Sequence, residues 1–186
     1  TLEGLSFNPD AARALLASSR YGGVEGLPPI VLSVSGSSGY MSALDRAILG
    51  MLEENLGIEA TVEQVEWSDF LRDLNERRYA MFSSGWIADY PDSQNFVDLL
   101  FHSASSQNHS GYSNPEVDRL LESARIESDP EQRTDLYRQA ERLIVTDAAW
   151  VPLTHGAVNV LVKPRVSGYR ATGAISPWLN YVVVER

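Results

Sequence analysis

Two β-branched runs separated by a long helical stripe constrain this chain more than any other feature. Ile30-Val31-Leu32-Ser33-Val34 is short, apolar and bounded by Pro28-Pro29 and Ser35-Gly36, which predicts a buried strand. Tyr40, Leu44, Ile48, Leu52 and Leu56 then recur at four-residue spacing with Ala47 and Met51 alongside, predicting a helix with a wide apolar face that stops at Gly57. Ile58-Glu59-Ala60-Thr61-Val62 alternates as a half-buried strand, and its phase slips by Val65, as at a bulge. Strand, crossing helix and strand make a parallel pair, because a connection this long is what parallel neighbours require. A second crossover follows. Ser68 is placed to cap a helix through Phe70, Leu71 and Leu74 that ends around Arg77-Arg78, and Ala80 to Trp86 reads as the next strand. This alternation predicts an α/β layered fold.

The flanking segments fit that class. Asn8-Pro9-Asp10 carries a cap and a first-turn Pro, and its helix runs to Gly22-Gly23. Ser93 or Asn95 could cap a short helix, Phe96 to Phe101, and Ser103 to Ser113 reads as an exposed polar loop. Asn114-Pro115-Glu116 and Asp129-Pro130-Glu131-Gln132 open two further helices, the second with Gln132 placed for a reciprocal capping contact. Val151-Pro152-Leu153, Val158 to Val162 and Tyr181 to Val184 read as strands.

Charge narrows the partners. With 15 Lys+Arg against 25 Asp+Glu the net charge is −10, and Lys163 is the one lysine, so a nucleic-acid partner is not expected. The absence of cysteine excludes disulfides, thiolate metal sites and a cysteine nucleophile. No stretch reaches the apolar length of a membrane span, and Thr1 to Phe7 reads as mid-protein sequence, as in a processed chain or an excised piece.

The candidate site centres on Ser83-Ser84-Gly85-Trp86-Ile87-Ala88-Asp89-Tyr90-Pro91-Asp92, where an apolar strand runs into an aromatic residue, a carboxylate and a turn. An aromatic face and a carboxylate at a strand end can hold a ligand by stacking and by ion pairing. The same residues can serve structure alone, with Trp86 in the core and Asp89 bonding nearby backbone. Ser35-Gly36-Ser37-Ser38-Gly39 joins strand to helix, where backbone N–H groups can meet an anion or a ligand carbonyl, but it is neither a phosphate loop nor a serine-hydrolase elbow. His102, His109 and Asp98 match no metal-ligand spacing, and His155 after a strand reads as structural. Asn108-His109-Ser110 has the form of a glycosylation acceptor. Asp89 and Asp92 could form an acid–base pair, yet no nucleophile, base and orienting group assemble, so binding outranks catalysis.

Taken in order, several segments resemble the extracytoplasmic solute-binding proteins of peptide-type ABC transporters, the oligopeptide/dipeptide/nickel receptor family. They are Asn55-Leu56-Gly57-Ile58, Glu66-Trp67 with Phe70-Leu71, Gly85 to Asp92, Gly111-Tyr112-Ser113-Asn114-Pro115, Leu136 to Glu141 and Val151-Pro152-Leu153. The resemblance implies a periplasmic-binding-protein type II-like lobe, a mixed sheet flanked by helices. Residues 1–186 would be a single ligand-binding lobe, the second of a two-lobe receptor whose N-terminal lobe is absent. It implies that Asp89 pairs with a peptide α-amino group, that Gly85 and Ile87 offer main-chain hydrogen bonds, and that Trp67, 22 residues before Asp89, lines the cavity; Trp86 joins them as a candidate ligand-binding aromatic. Ser35 and Ser37 belong to the loop where dipeptide receptors carry an Arg, and Leu74 and Ser83 stand where oligopeptide receptors carry Arg, so a ligand carboxylate is not obviously held from this lobe. The implied partners are a peptide or other small solute such as an oligosaccharide, the missing lobe and a membrane permease, in the periplasm or at the cell surface. No cofactor, metal or catalysis is implied.

Overall fold

The computed structural model describes residues 5–157, 159–170 and 179–185. Helix α1 (Pro9–Ser18) opens as its sequence dictates, with the Asn8 side chain accepting the Ala11 N–H at 3.0 Å and Pro in the first turn. Strand β1 (Ile30–Ser35) leads through a loop to α2 (Ala43–Leu56), and β2 (Ala60–Val65) lies parallel to β1, from Ile30↔Ala60 to Ser35↔Val65. Helix α3 (Trp67–Asn75) crosses to β3 (Met81–Ser83), which lies parallel on the other side of β1, giving the order β2-β1-β3. Both predicted crossovers are present.

The details correct several expectations. The pairing of β2 is unbroken through Val65, with no bulge. The long helix begins at Ala43 rather than Tyr40, because Ser42 caps it: its Oγ accepts the Asp45 N–H at 3.0 Å and donates to the Asp45 carboxylate at 2.6 Å. Tyr40 is therefore in the loop and exposed, and Leu44 and Met51 of the apolar stripe are exposed too. The cap of α3 is Glu66, whose carboxylate accepts the Ser68 N–H at 2.8 Å and the Ser68 hydroxyl. Those bonds hold the Glu66 carboxyl below its usual range. Arg77, with φ of 53°, turns the chain sharply after α3. The third strand is three residues long; residues 84–88 lie outside it.

The chain separates into two compact units at Gly85/Trp86. The first holds the parallel sheet, with Leu32, Val34, Phe70 and Leu74 as its buried apolar residues. The second is helical: α4 (Gln94–Phe101), α5 (Pro115–Ile126) and α6 (Pro130–Thr146), followed by a short antiparallel ribbon of β4 (Val166–Ser167) and β5 (Val183–Val184). Asn114 and Asp129 cap α5 and α6 through side-chain acceptance of the Glu116 N–H at 3.0 Å and of the Glu131 and Gln132 N–H groups at 2.9 Å. Val117, Leu120, Leu121 and Ala124 of α5 meet Tyr137, Ala140 and Ile144 of α6 over Phe101, forming one buried cluster at helical spacing.

Of the strands expected near the end, Val151–Leu153 and residues 159–162 carry no strand, and Val158 lies outside the described residues. Pro152 cannot donate to a ladder, and residues 151–153 are exposed. The last run is shortened to Val183–Val184, because residues 179–181 wind into a helical turn.

Candidate functional site

In the first unit, β1 leads into a braced loop. The Gly36 N–H donates to the Val65 carbonyl at 2.9 Å, continuing the β1–β2 pairing one step beyond the strand. Gln64 on β2 does the rest: its Oε1 accepts the Gly39 N–H and its Nε2–H donates to the Tyr40 carbonyl, both at 2.8 Å. Gly39 sits at φ of 71°, a region a side chain would strain. Two of the backbone N–H groups expected to face a ligand are thus already committed, so the loop is not an open anion cradle. Ser35 and Ser37 are exposed on it.

Trp67 opens α3 and is 56% exposed. Its ring stacks on Phe70 at 6.3 Å and 23°, and Phe70 stacks in turn on Tyr79 at 5.4 Å and 25°. The exposed indole face therefore rests on the buried Phe70 ring, which the half-buried Tyr79 backs. Leu74 is a core residue and Ser83 is half-buried at the end of β3, so neither of these two positions supplies a cation. Gly85, exposed, ends this unit.

The second unit begins with Trp86, half-buried, then the exposed Ile87 and Asp89. Asn95, in the first turn of α4 and fully buried, gathers them. Its Oδ1 accepts the Trp86 Nε1–H at 2.9 Å and the Asp89 backbone N–H at 3.2 Å, and its Nδ2–H donates to Asp89 Oδ2 at 3.4 Å. Trp86 and Asp89, expected together from the sequence, are together here. Asn95 was expected only as a possible helix cap; it is an interior residue of α4, whose N-cap position is Ser93. The signal for its role is periodic: Asn95 and Asp98 share the face of α4 that carries Phe101, and all three are buried. Polar residues on an apolar face need partners inside the protein.

Asp92 has a different role from Asp89. Arg133 of α6 grips both of its carboxylate oxygens, at 2.6 and 2.9 Å, and also donates to the Ala124 carbonyl and the Tyr137 hydroxyl. The Arg133 guanidinium holds the Asp92 carboxyl below its usual range. Asp98 is likewise taken by Arg125 of α5, with Nε and Nη2 both at 2.8 Å. These two arginines, unremarked in the sequence, tie the turn and α4 to the helical core. An Asp89/Asp92 acid–base pair is left without its second member.

The polar loop after α4 is not simply exposed. His102 is buried, with Nδ1 accepting the Ala104 N–H at 3.1 Å, which leaves the proton on Nε2, 3.3 Å from Glu122. Asn108 is 1% exposed, its amide donating to the Tyr112 carbonyl at 2.7 Å and the His102 carbonyl at 3.3 Å. In the folded chain that amide is inaccessible, which removes the glycosylation reading. Among the described residues no three His, Cys, Asp or Glu side chains cluster as a metal site.

The profile of the bacterial extracellular solute-binding proteins, family 5 (Middle), matches residues 2–108. The probable di/tripeptide-binding protein 5 of Pseudomonas aeruginosa is 30% identical over 185 residues, covering 96% of this chain and 34% of that protein. Among solved structures, OppA of Burkholderia pseudomallei matches with a TM-score of 0.78 at 29% identity, over 96% of this chain and 35% of that one. DppA from Helicobacter pylori, in complex with the peptide STSA, matches with a TM-score of 0.74 at 28% identity, over 94% and 34%. The chain spans about a third of the length of these relatives. With more than half of its residues matched by the profile and an α/β fold shared with the solved relatives, the chain belongs to the family 5 bacterial extracellular solute-binding proteins.

Proposed function

We propose that this chain is one lobe of a two-lobe extracytoplasmic receptor that captures peptides for an ABC importer, without catalysis. Its partners would be the peptide, the other lobe of the same receptor and the membrane permease. The observation that carries the reading is Asp89, an exposed carboxylate held in place by a buried amide at the start of the second unit. In this reading Asp89 receives the peptide ammonium, and the exposed main chain of Gly85 and Ile87 meets the peptide backbone. Ser35, Ser37 and Trp67 in the first unit and Trp86 in the second would each offer further ligand contact. Backbone and terminus would then carry affinity while side chains vary, which suits a receptor of broad specificity. The names of the Pseudomonas relative and of the peptide-bound Helicobacter structure support the ligand class. Import requires a ligand that favours the closed pair of lobes, so one lobe alone is expected to bind peptide at millimolar strength or not at all.

Calorimetry on the full receptor tests this with trialanine, free or N-acetylated, against the native protein and Asp89→Ala. The expected result is binding of the free peptide by the native protein. Either acetylation or the substitution should weaken it by about 10- to 100-fold, the scale of one charge-assisted hydrogen-bonded contact. Equal affinity for free and acetylated peptide would remove Asp89 from the ammonium site. No binding of either would move the search to non-peptide solutes, with oligosaccharides first.

A further inference from the structure

A carboxylate on an exposed turn ordinarily samples several rotamers, and binding must then freeze one of them. Asp89 differs. The side chain of Asn95 uses both acceptor positions of Oδ1 on N–H donors, from the Trp86 indole and the Asp89 backbone, and turns its Nδ2–H toward the Asp89 carboxylate. This arrangement fixes the amide's own orientation, because a flipped amide would set its NH2 group against two donors. Its base is also fixed. Asn95 lies in α4 between two ion pairs, Asp92–Arg133 before it and Asp98–Arg125 after it, each of which reaches a helix of the buried core.

We propose that Asn95 is a positioning residue that joins Trp86 and Asp89 into one preorganised ligand-contacting unit. It touches no ligand itself. It sets the carboxylate and the indole relative to each other, so that the ammonium partner and the neighbouring aromatic wall are presented together. The coupling of Trp86 to Asp89 stands on the geometry alone; its consequence for affinity rests on the reading of Asp89 as the ammonium partner.

The experiment has two arms on the full receptor. In the first, proton exchange of the tryptophan indoles is followed by NMR without ligand. The Trp86 indole proton is expected to exchange at least about 10-fold more slowly than that of the exposed Trp67, as a hydrogen bond of ordinary strength would require. Asn95→Ala should erase that protection, and Asn95→Asp, which keeps an acceptor oxygen, should restore it. In the second arm, the preference for trialanine over N-acetyl-trialanine is measured. Asn95→Ala should cut that preference by about 10-fold, because the carboxylate loses its partner while the rest of the site remains.

Equal exchange of the two indoles in the native protein would overturn the proposal. So would a folded Asn95→Ala protein with unchanged preference, which would make Asn95 a merely structural group. If Asn95→Ala does not fold, the native exchange contrast and the Asn95→Asp protein decide. Should the native receptor show no preference for the free amine while the indole results hold, the ammonium reading of Asp89 fails and the coupling through Asn95 stands.

Discussion

Phe70→Ala is expected to lower the stability of the first unit by about 3–5 kcal/mol, seen as a large drop in its urea midpoint. Phe70 is wholly buried, one of four buried apolar residues among those described in the first unit, and α3 packs on β1. A core this small cannot collapse around the missing ring, so most of the cavity cost should remain. The ring is also the floor beneath Trp67 and the neighbour of Tyr79. The same substitution should therefore loosen Trp67, which fluorescence quenching by acrylamide would report. A loss below about 1 kcal/mol would mean that the ring is not part of a packed core.

Arg125→Met is expected to cost about 3 kcal/mol, although it deletes a residue that is itself nearly half exposed. The reason lies with its partner. Asp98 is 2% exposed, and both of its carboxylate oxygens are held by this one guanidinium. Met keeps much of the aliphatic stem, so the loss reports the stranded charge rather than missing packing. Adding Asp98→Asn should recover a large part of the loss, since a neutral amide is cheaper to bury than an unpaired carboxylate. Urea denaturation of the single and double variants gives the coupling directly. A cost near zero for Arg125→Met would place the pair among solvated surface ion pairs.

The sequence revealed architecture wherever local chemistry had one meaning. Asn8-Pro9, Asn114-Pro115 and Asp129-Pro130 are caps in the structure as in the sequence, because a short polar side chain followed by Pro suits few other places. The crossovers were legible for a similar reason: four-residue apolar spacing between two β-branched runs leaves little topological choice. Boundaries were harder. Tyr40 continues the apolar spacing of α2, yet Ser42 and the Gln64 amide draw the chain out of the helix before it. Of the site, the pairing of Trp86 with Asp89 could be anticipated. The face of α4 marks Asn95 and Asp98 as needing inner partners but not which ones, because Asn95, Arg125 and Arg133 act across 6, 27 and 41 positions of sequence respectively. Hydrogen bonds of that reach have no local signature. Asn108 was opaque in the same way, since nothing in Asn108-His109-Ser110 says that the asparagine turns inward.

The two units also differ in how far the chain must search to build them. Helices α5 and α6 are joined by only residues 127–129, so their shared apolar faces meet after closing a very short loop. Strand β1 must instead find β2 across the whole of α2, thirty positions away in register, and then β3 about fifty positions away. Loop closure costs more entropy, and takes longer, as the separation grows. The helical hairpin is thus the natural first structure of this chain. Asp92 and Asp98 gain their arginine anchors as α4 docks on it, so the surface that carries Asp89 is built on the contacts of the helical unit itself.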